Sequence, residues 1–149
     1  MPMYRPNVAA IVQDLDSKIL IAERATIHDA WQFPQGGVKE YETVEQALER
    51  ELEEEITLRK SSYLIVQSKG PYRYLFGPDR KKEGYDGQEQ TYFLLRLTIS
   101  EPNINIATNN AEFRRIRWIA PSDFDLRWVP TFKQQVYRAV FYDFFKIKL

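Results

Sequence analysis

Between Gly36 and Leu58 the chain reads GGVKEYETVEQALERELEEEITL, and this stretch constrains the fold more than any other. From Thr43 to about Ile56, Val44, Ala47, Leu48 and Leu52 recur at spacings of three and four, the period of a helix with one buried stripe. Thr43 reads as its N-cap, and Gln46, three residues on, completes a capping box. Two of the chain's six glycines, Gly36 and Gly37, stand side by side just before it. A glycine pair permits a tight strand-to-helix turn and lets backbone approach a ligand closely.

The polar face of this helix breaks two local rules. Glu51, Glu54 and Glu55 lie at i, i+3 and i+4, so their carboxylates converge. They also occupy the last turn, where the helix dipole disfavours anions. Conflicts of this kind concentrate at functional sites. Convergent hard oxygens with no histidine or cysteine nearby suit Mg²⁺ or Mn²⁺. Taken alone, an acidic run is more simply a solvated helix face. Arg50, eight residues after Glu42 and four before Glu54, either orients a carboxylate or only screens the acidic face.

The remaining segments read as a mixed α and β domain, expected to span residues 1–149 as one unit, with helices flanking a sheet. Strands are expected at 7–12, 18–22, 63–67, 72–76, 91–99 and 115–119. The run Thr91–Ile99 is the most β-rich and should be central. Residues 23–35 read as a loop carrying Trp31 and Phe33, both expected to pack rather than bind. Residues 77–87 read as a polar, turn-rich mobile loop. From Thr131, Phe132, Val136, Val140 and Phe144 recur every four residues as a C-terminal amphipathic helix. Cysteine is absent and His28 is the single histidine, which removes disulfide scaffolds, thiolate sites and multi-histidine zinc sites. His28 itself is expected to be a loop residue without a chemical role. No apolar run approaches the roughly 20 residues of a membrane helix, and no signal-peptide layout opens the chain, so a soluble, cytoplasmic domain is expected.

The segment 36–58 resembles the Nudix box, G-x5-E-x7-R-E-U-x-E-E-x-G-U with U aliphatic. Gly36, Glu42, Arg50, Glu51, Leu52, Glu54, Glu55 and Leu58 fall on the motif. The departure is Thr57, where the family usually has glycine. Glycine there serves a left-handed helix end, which threonine adopts poorly, so a non-standard helix exit is expected. The resemblance implies an α+β Nudix fold, an α/β/α sandwich with a mixed sheet and a loop–helix–loop element. It also implies hydrolysis of nucleoside diphosphates linked to another moiety, with several Mg²⁺ ions. Glu51, Glu54 and Glu55 would be ligands, helped by the Gln35 backbone carbonyl. Glu55 and Glu112 are the candidates for general base.

Beyond the box, YRPNVAAIV (4–12), WQFPQGG (31–37), GQEQTYFLLRL (87–97), AEFRRIRW (111–118) and FKQQVYR (132–138) resemble the bacterial RNA pyrophosphohydrolases, also described as dinucleoside polyphosphate hydrolases. That resemblance implies Arg24 on the substrate phosphates, Glu112 as a further metal ligand, Phe132 stacking on a base, Lys133 on phosphate and Gln88 beside the same pocket. The implied partner is a 5′-triphosphorylated RNA end or a nucleoside polyphosphate, with no membrane and no DNA, for a monomer or homodimer. Hydrolysis of diadenosine polyphosphates or nucleoside triphosphates, and a catalytically silent nucleotide-binding regulator, are the alternatives.

Charge supports a polyanionic substrate only once its distribution is seen. The 21 basic and 21 acidic residues cancel. However, residues 40–55 hold eight glutamates against Arg50, whereas 69–82 and 114–138 are basic. Cations gathered by the acidic block would reverse its local sign. Arg24, Lys133 and the arginines of 114–117 are then expected to face phosphates. Zero net charge argues against long, sequence-independent binding along RNA, so recognition should be confined to the 5′ end.

Overall fold

Alternation along three strands decides the architecture. In β1 (Tyr4–Gln13), β2 (Ile19–Arg24) and β6 (Gly87–Leu97), Ala9, Ile11, Ile19, Ile21, Tyr92 and Leu94 turn to one face. Val8, Ala10, Val12, Leu20, Ala22, Phe93, Leu95 and Leu97 turn to the other. Both faces are apolar, so each must be covered. Helix α1 (Val44–Ile56) covers one face and helix α2 (Thr131–Phe145) the other. The result is an α+β, three-layer sandwich. The computed structural model describes residues 1–77, 83–108 and 111–149; the expectation for the 77–87 loop falls partly outside them.

The sheet has seven strands. Its continuous path runs β3 (Trp31–Gln32), β2, β1, β6, β5 (Tyr63–Leu75), with β4 (Gln35–Gly37) paired to β1 and β7 (Phe113–Ile119) paired to β2. It is mixed, because β1 and β6 run parallel from Tyr4↔Gly87 to Gln13↔Arg96 while the other pairs are antiparallel. The expected central strand, β6, is interior, flanked by β1 and β5, but β1 holds the middle of the path.

Three expectations need correction. The strands at 63–67 and 72–76 are one strand, which continues through Gly70-Pro71 by shifting register against β6 at two irregularities. The stretch 23–35 is not wholly loop; the end of β2, β3 and the start of β4 lie in it, because neighbouring strands supply their hydrogen bonds. Thr57 does adopt the left-handed conformation (φ 57°, ψ 22°). Its N–H donates to the Glu53 carbonyl at 3.1 Å, and the exit has the form that glycine gives elsewhere. The strain is compensated by the hydroxyl, which donates toward the carbonyls of Ile56 (2.7 Å) and Asn103 (3.1 Å) and accepts the Asn105 N–H (2.9 Å).

The start of α1 is built as its sequence prescribes. Thr43 Oγ1 accepts the Gln46 N–H at 3.1 Å, and Gln46 Oε1 accepts the Thr43 N–H at 2.9 Å. In α2 the buried stripe is Val136, Tyr137, Val140 and Phe141, with Phe132 and Phe144 only half-buried at its ends. Trp31 and Phe33 are packing residues. Phe33 lies flat on Tyr137, with ring centroids 5.5 Å apart, and its N–H donates to the Tyr137 hydroxyl.

Candidate active site

Where β4 turns toward α1, the glycine pair determines what fits. A β-carbon on Gly36 would overlap the Glu51 carboxylate, and one on Gly37 would overlap the Arg5 guanidinium. Backbone, acid and arginine are packed as closely as their atoms allow. Glu51, Glu54 and Glu55 each bring a carboxylate oxygen within 4.8 Å of the others. Glu112 lies outside that group, on the segment leading into β7, but it lines the same cavity as Glu51 and Glu55.

Such crowding alters the acids. Burial, and then the charges of Glu112, Glu51 and Glu54, push the Glu55 carboxyl up to about 7. Glu55 Oε2 is buried with no hydrogen-bond partner among the described residues. Glu51 is also raised by burial, against the opposing pull of Arg50. A buried, unpartnered carboxylate oxygen beside two further acids fits a hard divalent cation, which supplies the missing charge and an oxygen-seeking partner.

Arg50 is the clamp of this helix face. Its Nε and Nη2 donate to both Glu42 oxygens at 2.7 and 2.8 Å, and Nη2 also donates to the Gly37 carbonyl at 2.9 Å. Nη1 reaches Glu51 at 2.8 Å and Glu54 at 3.3 Å. The Arg50 hydrogen bonds hold Glu42 far below the usual carboxylate range, at about 2. Arg50 therefore ties the glycine turn to the acids. Of the two sequence readings, orienting a carboxylate matches this geometry.

The cavity beside these acids has a volume of about 510 Å³, within the usual range of roughly 300–1,000 Å³ for small-molecule sites. Arg5, Arg24 and Lys133 bring cations to its wall. Arg24 ends β2, where its N–H donates to the Ala30 carbonyl, and the next N–H, of Ala25, donates to the Glu112 carbonyl at 2.8 Å. Those bonds join the two loops that carry Arg24 and Glu112. In the same lining the Phe132 and Tyr74 rings are 5.8 Å apart, and Lys133 Nζ lies 5.7 Å from the Tyr74 ring centre. Gln88 is buried nearby, and its Oε1 has no hydrogen-bond partner among the described residues. Gln35 lines the cavity too, and its side-chain oxygen accepts from Gln90 at 2.9 Å.

Arg24, Gln35, Glu51, Glu55, Gln88, Glu112, Phe132 and Lys133 are thus brought to one cavity, with Glu54 and Arg50 at its acidic edge. His28 stands outside it, against the Arg114 guanidinium. The arginines of 114–117 do not line it either. Arg5 and Tyr74 were missed as site residues. The available signal for Arg5 was the polar pair Arg5 and Asn7, on alternate positions before an apolar strand.

A strand-flanked glycine turn, a clamped triad of glutamates and a cavity with both cations and aromatic rings thus meet in one place. Residues 3–140 match the model of the NUDIX domain family, and the chain belongs to that family, whose hydrolases act on phosphoric anhydride bonds and generally use divalent metals. Among curated relatives, RNA pyrophosphohydrolase of Helicobacter pylori is 44% identical over 142 residues, covering 92% of this chain and 90% of the relative. RNA pyrophosphohydrolase of Haemophilus influenzae is 40% identical, covering 97% of this chain and 76% of the relative. Among solved structures, the dihydroneopterin triphosphate pyrophosphohydrolase of E. coli superposes with a TM-score of 0.71 at 20% identity, over 95% of this chain and 97% of that one. A C. elegans Ap4A hydrolase gives 0.63 at 18% identity, over 80% and 82% of the chains. Among the described residues no helix is long and apolar enough to cross a membrane.

Proposed function

We propose that this chain removes pyrophosphate from the 5′-triphosphate end of RNA, leaving a 5′-monophosphate and thereby promoting decay of the transcript. The observation that carries the reading is an aromatic pair, half-buried Phe132 against buried Tyr74, in the same cavity as the acidic cluster. The 44% identity to an RNA pyrophosphohydrolase over nine-tenths of both chains supports it. The reading treats residues 1–149 as one hydrolase domain, working in the cytoplasm where triphosphorylated transcripts are made.

Glu51, Glu54 and Glu55, with the Gln35 backbone carbonyl and Glu112, would hold the divalent ions, Mg²⁺ or Mn²⁺. Bound there, such ions neutralise the triphosphate and lower the pKa of the attacking water. The protein's own residues do the rest. Phe132, backed by Tyr74, stacks on a base, and Lys133 and Arg24 bind phosphate oxygens. Gln88 offers its buried amide to the base edge. Water adds to phosphorus, the anhydride P–O bond breaks, and a carboxylate of Glu55 or Glu112 takes the water's proton. Arg50 acts through Glu51 and is a positioning residue.

The test incubates the purified protein and Mg²⁺ with 5′-triphosphate RNA and, separately, with diadenosine tetraphosphate. Release of pyrophosphate and a 5′-monophosphate end, abolished by a chelator, is the expected result. Turnover of the dinucleotide alone would replace this reading by the diadenosine polyphosphate one.

A further inference from the structure

Outside the cavity, the arginines of β7 form a second cationic feature. Arg115 and Arg117 stand on the same face of the strand, and their guanidinium carbons lie 5.2 and 4.5 Å from the Trp31 ring centre. Trp31 is buried although both arginines are exposed, so the guanidinium groups form the outer layer over the indole. Arg117 keeps its N–H groups toward solvent in this layer, whereas Arg115 turns its Nε and Nη2 edge to Glu23 and leaves Nη1 outward.

Charge around this layer is unbalanced. Glu23, wholly inaccessible, accepts two hydrogen bonds from Arg115 at 2.7 and 3.0 Å and lies 3.3 Å from Arg114. One carboxylate therefore serves two arginines. Arg117 forms no ion pair among the described residues and lies over the Trp31 indole.

The position of the layer indicates what it meets. β7 begins at Phe113, in the cavity wall, and its register against β2 slips by one residue there (Arg24↔Phe113, then Glu23↔Arg115). Arg115 and Arg117 therefore lie about 3 and 10 Å farther along β2 at the usual rise per strand residue. Trp31 adjoins Gln32, another wall residue, and Trp128, 6.3 Å from Trp31, leads in four residues to Phe132. Three chain segments connect the base slot and the acidic cluster to this surface.

We propose that Arg115 and Arg117, layered on Trp31, bind phosphodiesters of the RNA strand from the second one downstream of the nucleotide held at Phe132, which a dinucleotide lacks. This inference rests on the RNA reading above. Two arginines one strand repeat apart serve a short run of phosphates, which accords with a neutral protein that does not track long RNA. A dinucleoside polyphosphate has no phosphodiester 3′ of its nucleoside, so this surface favours RNA over such substrates.

The experiment compares Arg117→Gln and Arg117→Lys with the wild-type protein on a 5′-triphosphate dinucleotide and on a longer single-stranded RNA of the same 5′ sequence. For Arg117→Gln, the ratio of kcat/KM on the long RNA to that on the dinucleotide should fall roughly two- to fivefold, the scale of one exposed charge pair. The slope of log kcat/KM against log salt on the long RNA should become shallower by about 0.7, the loss of one single-strand phosphate contact. Arg117→Lys, which keeps the charge, should keep the slope. An equal effect of Arg117→Gln on both RNAs, or an unchanged salt slope, overturns the proposal and leaves the RNA reading standing. Absence of wild-type turnover on both RNAs overturns that reading and this proposal with it.

Discussion

Gly36 lies directly against the Glu51 carboxylate, in the space that any other residue's β-carbon would take. The obstructed atoms are the end of a flexible side chain, so a Gly36→Ala protein can fold by swinging Glu51 aside. Such a swing takes an oxygen out of the group that Glu51 forms with Glu54 and Glu55. Gly36→Ala should keep the wild-type melting temperature within a few degrees yet lose about 10²-fold in kcat, the usual cost of misplacing a catalytic group by about 1 Å. Full activity in a folded Gly36→Ala protein would show that Glu51 has room the packing denies it.

The raised Glu55 carboxyl makes the metal-free protein sensitive to pH. Its folded value, about 7, lies above the ordinary 4.5. Its contribution to stability is therefore complete below about 4.5 and is lost as pH rises through about 7. Glu42 and Glu23 act in the opposite sense. Both are held at about 2 by Arg50 and Arg115 respectively, so their contribution is complete above about 4.5 and lost as pH falls through about 2. In chelator, the melting temperature should decline from pH 4.5 to 7, and Glu55→Gln should flatten that decline, by on the order of 1 kcal/mol after allowance for solvent screening. Added Mg²⁺ should stabilise the wild type more at pH 7 than at pH 5, because the deprotonated site binds it better. Calorimetric scans across this range decide the matter; a Glu55→Gln profile parallel to wild type counts against the described crowding.

Arg50 contacts Glu42, Glu51, Glu54 and the Gly37 carbonyl at once. Lysine keeps the charge but cannot form the two-pronged bond to Glu42. Arg50→Lys should lower kcat about tenfold or more with a smaller change in KM, since the residue orients ligands rather than touching substrate. Glu42→Gln should reproduce part of that loss. Steady-state kinetics on the same RNA separate these effects, and a KM-only change in Arg50→Lys contradicts a positioning role.

How much of this was legible in the sequence depended on whether the signal was local. The N-terminus of α1 follows from Thr43 and Gln46, three residues apart and satisfying each other's backbone. The converging glutamates follow from helical spacing alone. By contrast, Trp31–Gln32 and Gln35–Gly37 become strands only because β2 and β1 offer free edges to them, and nothing within those short segments encodes it. Gly70-Pro71 reads as a break, yet β6 carries the pairing past it. Arg5 enters the cavity because β1 runs parallel to β6 and brings the first turn of the chain beside Gln88, an arrangement set across more than eighty residues. The arginines at 114–117 were legible as charge, but their partners, Glu23 and Trp31, lie on β2 and β3, so their outward placement was not.

Thr57 offers the sharpest test of local compensation. A non-glycine residue in the left-handed region carries a cost of roughly 1–2 kcal/mol, and Thr57 sits at φ 57°. Its hydroxyl offsets that cost by accepting the Asn105 N–H and bonding toward the Asn103 carbonyl, which fastens the end of α1 to residues 103–105. Thr57→Gly removes the strain and the bonds together, and its stability should match wild type within about 0.5–1 kcal/mol, the scale of one net hydrogen bond. Thr57→Ala keeps the strain and loses the bonds, so it should be less stable than either, by about 1–2 kcal/mol. Urea unfolding of the three proteins gives the order directly. If alanine equals threonine, the hydroxyl bonds contribute nothing and some other contact holds the helix exit in place.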